Sequence, residues 1–263
     1  MRATLIVPTL NEAESIGHVL ATFRAAADRA NSTTFQAIPV DWELLVVDGA
    51  STDGTAAIAE ANGARVLHEP RKGYGRAYKT GFAAARGEFI ATTDGDGTYP
   101  VETIPDLLAR VDREKIDFLT GNRLAFIDRK AMTTEHRIGN RMLNVLANLA
   151  YHHWMKELPG GRLADSQSGF WLFRREILSR VHVEEDSMAF SEELKVEAIL
   201  RGLRVVEVPI RYGERWGRPK LSSWRDGLHN LRFLAEKRLA VHREGTHGRP
   251  TPFAQGPDAA PPP

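Results

Sequence analysis

The amino-acid sequence predicts an α/β fold with a mixed, mostly parallel central sheet and helices on both of its faces. Through the first half of the chain, short runs of strand-forming residues alternate with longer segments whose apolar residues recur at helical spacing. The run 42–47 is mostly apolar, as expected of a strand that is covered on both faces. Such alternation of strands and helices is typical of parallel sheets.

Each predicted element follows from a local pattern. Gly63 and Gly87 directly follow two helical segments, where glycine commonly ends a helix. The predicted strands of the first half lie at 4–7, 42–47, 64–67, 89–93 and 118–121, and its predicted helices at 11–27, 52–62, 73–86 and 100–113.

The second half contains fewer strand signals. We expect helices at 136–155, 191–201 and 224–243, a strand at 205–208 and an apolar, aromatic segment at 169–173. The resulting division is a catalytic domain at 1–223, a basic amphipathic helix at 224–244 and a disordered tail at 245–263. The tail is predicted because Pro, Gly and Ala leave it little to bury.

The composition excludes several classes of protein. The absence of cysteine excludes disulfides, thiolate metal sites and a cysteine nucleophile. A net charge of +1 gives no electrostatic basis for binding nucleic acid. No window approaches the ~20 apolar residues of a spanning helix, and Pro8 interrupts the N-terminal apolar run too early for a signal peptide. We therefore expect a cytoplasmic protein, with any membrane contact peripheral and on the cytoplasmic face.

Acidic residues follow two of the predicted strands. Asp48 ends the second strand, and Asp94 and Asp96 follow the fourth. Because ligands bind beyond the carboxyl ends of parallel strands, we expect these side chains to meet in one crevice. Paired carboxylates are ligands that Mg²⁺ and Mn²⁺ prefer, although Asp-Gly-Asp taken alone is equally typical of a polar turn.

Other short motifs have simpler interpretations. Asn11 is expected to cap the first helix, with Glu12 in its first turn, and Ser51 or Thr52 to cap the second. The loop 71–76 is basic and precedes a helix, a combination suited to phosphate. It lacks P-loop spacing, and no Gly-x-Ser-x-Gly sequence supports a serine hydrolase.

In this order, the motifs resemble family 2 glycosyltransferases of the GT-A fold. The relevant segments are 7–12, 48–55, 72–75, 84–87 and 94–96. The second half is similar to dolichol-phosphate mannose and polyprenyl-phosphate glucose synthases through 121–123, 137–140, 165–170 and 215–221. The resemblance covers about residues 3–240.

The resemblance implies a role for individual residues. It places Asp94 and Asp96 on the metal, Arg123 and Arg137 on the acceptor phosphate, and Asp165 near the reacting centre. Asp96, Asp165 and Arg215 form the implied catalytic set, and Arg215 closes over the phosphates together with Lys220 from a mobile loop. The expected nucleotide-sugar contacts are Pro8, Glu12, Asp48, Lys72, Arg76, Asp94 and Lys220.

The chain departs from the family pattern at three positions. Gly49 stands where many relatives have a second Asp, so a pair of carboxylates reading the base is not supported. Thr98 stands where mannosyl enzymes tend to carry Gln, a third metal ligand. Pro219 replaces the usual Ser and restricts the backbone of the closing loop.

The implied reaction is inverting, Mg²⁺- or Mn²⁺-dependent transfer of a hexose from GDP-mannose or UDP-glucose to a polyprenyl or dolichyl phosphate. A phosphate anion attacks without a strong base, whereas a sugar hydroxyl requires one. Asp165, Glu192 and Glu193 are the candidate bases, although the local pattern favours a solvated first helical turn for the two glutamates. The alternatives are a soluble glycosyltransferase with a sugar or small-molecule acceptor, and a nucleotide-sugar-binding subunit that needs a membrane partner.

Two helical segments combine apolar faces with basic residues. They are 137–155, with Ile138, Met142, Leu146 and Leu149 at helical spacing, and 224–243. Docking on the membrane surface is one hypothesis. For either helix alone, ordinary core packing is the favoured interpretation.

Overall fold

The computed structural model describes residues 1–32, 39–128, 131–156, 158–217 and 223–244, with side chains of the last helix at 229–239. The predicted tail at 245–263 and the predicted phosphate contact Lys220 lie outside the described residues.

A single seven-stranded sheet organises the described chain, in the order β3-β2-β1-β4-β6-β5-β7. Its strands are β1 Arg2–Thr9, β2 Asp41–Asp48, β3 Arg65–His68, β4 Phe89–Thr92, β5 Phe118–Ile127, β6 Trp171–Arg174 and β7 Val205–Tyr212. Among these described strands, only β6 runs antiparallel to its neighbours, and the other pairs are parallel. The predicted mostly parallel α/β sheet is confirmed.

Eight α-helices connect or flank the described strands. They are α1 Ile16–Ser32, α2 Thr55–Ala61, α3 Tyr74–Ala84, α4 Ile104–Arg113, α5 Thr134–Ala150, α6 His152–Met155, α7 Phe190–Leu200 and α8 Ser223–Glu244. Short 3₁₀ turns at Val101–Thr103 and Arg175–Ser179 precede α4 and follow β6.

Two hydrophobic cores lie on opposite faces of the sheet. Because side chains alternate along a strand, Leu5 and Val7 of β1 enter one core with α1 and α4, while Ile6 enters the other with α3 and α7. Both faces of β1 and β2 are therefore covered, which explains their nearly continuous apolar sequences.

The antiparallel strand β6 was not predicted. Its residues were expected only to form an apolar, aromatic segment, because so short a run has no distinctive periodicity. In the fold, β6 lies between β4 and β5, and Trp171 and Phe173 enter one core while Leu172 enters the other. The Thr92 hydroxyl joins β4 to this segment by donating to the Gly169 carbonyl at 2.7 Å and accepting from the Trp171 amide at 2.9 Å.

The predicted helix caps near the first two loops are wrong. Asn11 has a left-handed backbone, with φ of 53°, and α1 begins only at Ile16. The Asn11 carboxamide oxygen instead accepts a hydrogen bond from the Thr52 amide at 2.8 Å. Neither Ser51 nor Thr52 caps α2, which begins after Gly54 without a side-chain cap. These polar side chains join the loops after β1 and β2 to each other.

We expect Gly87→Ala to lower the free energy of unfolding by about 1–3 kcal/mol, because overpacking against backbone is costly. A Cβ at this position would lie 2.6 Å from the Ala3 carbonyl carbon and the Thr4 nitrogen. Urea unfolding of the purified protein measures the change.

Gly139→Ala is the matched control. Apart from its chain neighbours and the backbone of α5 itself, no described atom lies within 4 Å of its added Cβ, and the residue is inside α5. Stability should rise by roughly 0.5–1 kcal/mol there, because glycine is unfavourable inside a helix. Equal effects of the two substitutions would contradict the packing argument.

Candidate active site at the carboxyl edge of the sheet

Polar residues from four strands meet at one edge of the sheet. Asp48 ends β2 beside Thr9 of β1, and Asp94 follows β4. Arg123 lies in β5 beyond its pairing with β6, and Arg215 follows β7. Since these strands are parallel, their carboxyl ends face the same side, which is the edge of the sheet where the sequence predicts the ligand-binding crevice.

Asp48 is almost completely buried and is held from three directions. One carboxylate oxygen accepts from the Thr9 hydroxyl at 3.3 Å and the other from the Ser51 amide at 3.0 Å. The His68 Nδ1 atom lies 3.6 Å from the same Asp48 Oδ2. These contacts restrict the carboxylate to one orientation at the sheet edge.

Asp96 has hydrogen-bond or ion-pair partners on both carboxylate oxygens. Its Oδ1 accepts from the Thr98 amide at 3.0 Å and the Thr98 hydroxyl at 2.6 Å. Its Oδ2 lies 2.7 Å from Arg215 Nη2. Thr98, at the position of a possible third metal ligand, therefore orients the aspartate.

Asp94 lies against two tyrosines of α3. The Tyr74 and Tyr78 hydroxyls lie 3.3 and 3.4 Å from its Oδ1. Burial and the negative charge of Asp96 raise the pKa of Asp94 to about 7, although Arg215 and Arg123 act in the opposite direction. A divalent cation would offset the negative charge that the two neighbouring carboxylates concentrate here, and carboxylate oxygens are ligands that Mg²⁺ and Mn²⁺ prefer.

The segment after β7 closes over this aspartate pair. The Gly213 amide donates to the Thr98 carbonyl at 2.9 Å, and the Trp216 amide donates to the Asp96 carbonyl at 3.0 Å. The Trp216 ring stacks on His18 of α1 with 4.7 Å between centroids. Arg215 is thereby held beside both Asp96 and Glu12, whose Oε1 is 3.9 Å from its Nη1.

Asp165 is fully buried and pairs with Arg123, whose side chain is 10% exposed. The Arg123 Nε and Nη2 atoms each donate to one Asp165 oxygen at 2.8 Å, and the Arg123 amide adds a third bond at 2.9 Å. Burial alone would raise the pKa of Asp165, but Arg123 and Lys195 outweigh it and hold the pKa below its usual value. Asp165 is a poor proton acceptor in this arrangement.

The expected solvated turn at Glu192 and Glu193 is wrong, because every residue of α7 is buried. The Glu193 carboxylate accepts from the amides of Glu184 and Glu185 and pairs with Lys237 at 3.1 Å. Neither Glu192 oxygen reaches hydrogen-bonding geometry with a described donor. Burial raises the pKa of Glu192 to about 8, although Ser166 and Gln167 are near enough to oppose that rise.

Residues 4–181 match the family model for glycosyl transferase family 2. The chain belongs to glycosyl transferase family 2. It is therefore a glycosyltransferase, and the predicted family resemblance is confirmed.

Relatives and solved structures agree with this assignment. A dolichyl-phosphate hexose transferase of Haloferax volcanii is 33% identical over 224 residues, covering 85% of this chain and 88% of the relative. The low-salt glycan biosynthesis hexosyltransferase Agl6 of the same organism is 32% identical over 233 residues, covering 88% of this chain. The present chain spans about half the length of Agl6, since the match covers 52% of that relative.

Among solved structures, glucosyl-3-phosphoglycerate synthase from Mycobacterium tuberculosis, in complex with Mn²⁺ and UDP-glucose, superposes with a TM-score of 0.66. Identity is 22%, and the match covers 90% of this chain and 78% of that one. The similarity confirms the predicted GT-A fold of the glycosyltransferase.

The residues of the glycosyltransferase that were predicted to contact the nucleotide sugar or the acceptor phosphate differ in their surroundings. Lys72 is exposed, and Pro8 lies in β1 beside Val47. Arg76 pairs with Asp186 at 2.6 Å, which engages its guanidinium. Arg137, in the first turn of α5, has a buried Nε atom without a described hydrogen-bond partner.

Four residues at the site were not predicted individually. Tyr74 and Tyr78 contact Asp94, and His18 and Trp216 form the stack beside Arg215. The spacing of the tyrosines was a usable signal, since residues four apart share a helix face. The pairing of His18 with Trp216 joins distant parts of the chain, and no local pattern indicates it.

Glu192→Gln should change how stability depends on pH. The pKa of Glu192 lies near 8 in the folded protein, above its ordinary value of 4.5. The contribution of the protonated carboxyl to folding stability is therefore fully present below about pH 4.5 and is lost as the pH rises through 8. The free energy of unfolding of Glu192→Gln, relative to that of wild type, should therefore be larger at pH 8 than at pH 5 by on the order of 3 kcal/mol. Urea unfolding at both pH values measures this difference.

Glu193→Gln is the control for this measurement. Its carboxylate is also buried but is bonded to Lys237 and two amides, so the substitution should destabilise the protein at pH 8. A constant difference between wild type and Glu192→Gln across this pH range would refute the assigned protonation of Glu192.

Proposed function

We propose that this glycosyltransferase transfers a hexose, with inversion, from a nucleotide sugar to a polyprenyl or dolichyl phosphate in a reaction that uses Mg²⁺ or Mn²⁺. The burial of the candidate bases is the observation that carries this proposal. Asp165, Glu192 and Glu193 are all buried, and none is open to a substrate hydroxyl. A phosphate acceptor needs no such base, because it is already an anion at neutral pH.

The bond changes are simple for such an acceptor. A phosphate oxygen of the lipid attacks the anomeric carbon and forms the new C–O bond, while the bond from that carbon to the nucleoside diphosphate breaks. Its electron pair leaves with the diphosphate, and no proton has to move. The work of the protein is then to position the reactants and to stabilise charge on the leaving group.

Asp94 and Asp96 would hold the divalent cation. When bound, the cation neutralises the charge of the departing diphosphate. Arg215 lies 2.7 Å from Asp96, so a guanidinium is available beside the same phosphates. Arginine suits this position because its planar fork pairs with phosphate oxygens.

Two arginines suit the acceptor phosphate. Arg123 uses Nε and Nη2 on Asp165, and no bond joins its Nη1 to a described acceptor. It also lies near enough to Asp94 to lower the pKa of that carboxyl. Arg137 supplies a second guanidinium, with its buried Nε lacking a partner among described residues.

An exposed apolar face of α5 supports a lipid acceptor. Core packing was the favoured interpretation of this helix and is wrong for that face, where Leu149 is 70% and Ile138 61% exposed. The exposed apolar residues of α5 are Ile138, Met142, Val145, Leu146 and Leu149. Among the described residues, no helix is long and apolar enough to cross a bilayer, and α5 is suited to lying along the membrane surface with Arg141 near anionic headgroups.

A thermal-shift screen tests the donor site. GDP-mannose, UDP-glucose and their diphosphates are compared with and without Mn²⁺. A ligand at about 100 times its dissociation constant should stabilise the protein by ~2.7 kcal/mol. One nucleotide should give a metal-dependent shift that disappears in Asp96→Ala. A protein that responds to none of them would contradict the proposed donor chemistry.

Vesicle flotation tests the lipid surface. The wild type should float with anionic vesicles at low salt, and Leu149→Glu should weaken binding by about tenfold because a charge enters the apolar face. Ala25→Glu adds the same charge to an exposed position of α1, which packs on the other face of the sheet, and should float like wild type. Equal flotation of both variants would exclude α5 as the contact and favour a soluble acceptor or a membrane subunit.

A further inference from the structure

Glu207 joins β7 to the segment that carries Asp165. The residue lies opposite Thr120 of β5 and is half-buried. Its Oε2 accepts from the Ala164 amide at 2.8 Å, and its Oε1 accepts from the Asp165 amide at 2.8 Å. A single carboxylate therefore satisfies two successive backbone donors.

The Asp165 segment depends on such side-chain bonds for its position. Residues 158–170 contain no described helix or strand, so no regular backbone ladder holds them. Besides Glu207, the Lys195 Nζ donates to the Asp165 carbonyl at 2.6 Å, and Asn144 accepts from the Ser166 amide at 2.8 Å. Glu207 and Lys195 thus hold the backbone of Asp165 from β7 and α7.

The position of Asp165 determines the orientation of the Arg123 guanidinium. Its two oxygens accept from Nε and Nη2 of the same guanidinium, which fixes the plane of that group. A shift of the Asp165 backbone would therefore rotate or displace Arg123, and with it the Nη1 edge that bonds to no described acceptor.

We propose that Glu207 is a positioning residue that orients Arg123 for the acceptor phosphate by anchoring the backbone of Asp165. The inference rests on the proposed role of Arg123 in binding that phosphate. Glu207 itself contacts neither Asp94 nor Asp96 through a described bond, so its effect reaches the acceptor through Asp165. Small displacements of a positioning group are known to have large effects on reactivity.

A binding experiment on the full chain tests this role, with farnesyl phosphate as the acceptor probe. Its dissociation constant is measured by calorimetry for wild type, Glu207→Gln, Arg123→Met and the double variant. Glutamine retains one acceptor oxygen, so one of the two backbone amides loses its partner. We expect Glu207→Gln to weaken farnesyl phosphate binding about tenfold, and to leave the affinity for Mn²⁺ with the nucleotide selected by the donor screen unchanged.

The double variant separates positioning from general stability. If Glu207 acts through Arg123, Glu207→Gln has no further effect once Arg123 is Met. Glu43→Gln is the matched control, since Glu43 is a buried carboxylate that accepts from the Arg86 amide at 2.9 Å and pairs with Arg65 of β3. It should lower the melting temperature without changing the affinity for farnesyl phosphate.

Each remaining outcome counts against a different claim. Wild-type binding by Arg123→Met refutes the acceptor role of Arg123, and this inference falls with it. Weak binding by Arg123→Met together with wild-type binding by Glu207→Gln overturns the inference alone, as does an equal loss from Glu207→Gln in both backgrounds. If Glu207→Gln fails to fold, Glu207→Asp replaces it, because the shorter carboxylate cannot reach both amides and should weaken binding in the same way.

Discussion

The repulsion between two neighbouring carboxylates after β4, the buried Asp96 and the half-buried Asp94, is the constraint around which the site is organised. Burial and the negative charge of Asp96 raise the pKa of Asp94 to about 7. Arg215 contacts Asp96, and Arg123 lies close enough to Asp94 to favour its ionisation. The closing segment after β7 and the buried arginine of β5 both supply positive charge to this pair.

A second group of charged residues, around Asp165, is also balanced. Asp165, Glu207, Arg123 and Lys195 form a neutral set contributed by separate parts of the fold, in which each carboxylate also accepts backbone amides. Such a set is costly to bury but specific in geometry once all its members are paired. Neither oxygen of the buried Glu192 has a described hydrogen-bond partner, and burial raises its pKa to about 8 although Lys195 acts in the opposite direction.

Local sequence patterns predicted the structural features that depend on residues close together in the chain. Helical spacing and apolar runs located most strands and helices within a few residues, and Asp48, Asp94 and Asp96 were placed correctly at strand ends. The errors share one cause. Asn11 bonds to Thr52, Glu193 bonds to Lys237, and the apolar face of α5 lacks a covering element among the described residues. Each depends on which distant segment is adjacent, and local propensity carries no information about that.

The sequence by itself determined the α/β class, the family and the identity of the acidic and basic residues, because these depend on periodicity and on motifs in order. The tertiary structure alone decided which charges are paired. In the fold, Arg123 forms an ion pair with Asp165, Arg76 with Asp186, and Arg215 with Asp96. Those partners are far apart in the chain, and their pairing is set by the insertion of β6 and by how the helices cover the sheet. Burial then determines how strongly the paired charges interact and whether each group is protonated. The reason is that excluding water strengthens electrostatic interactions and makes an unpaired charge costly.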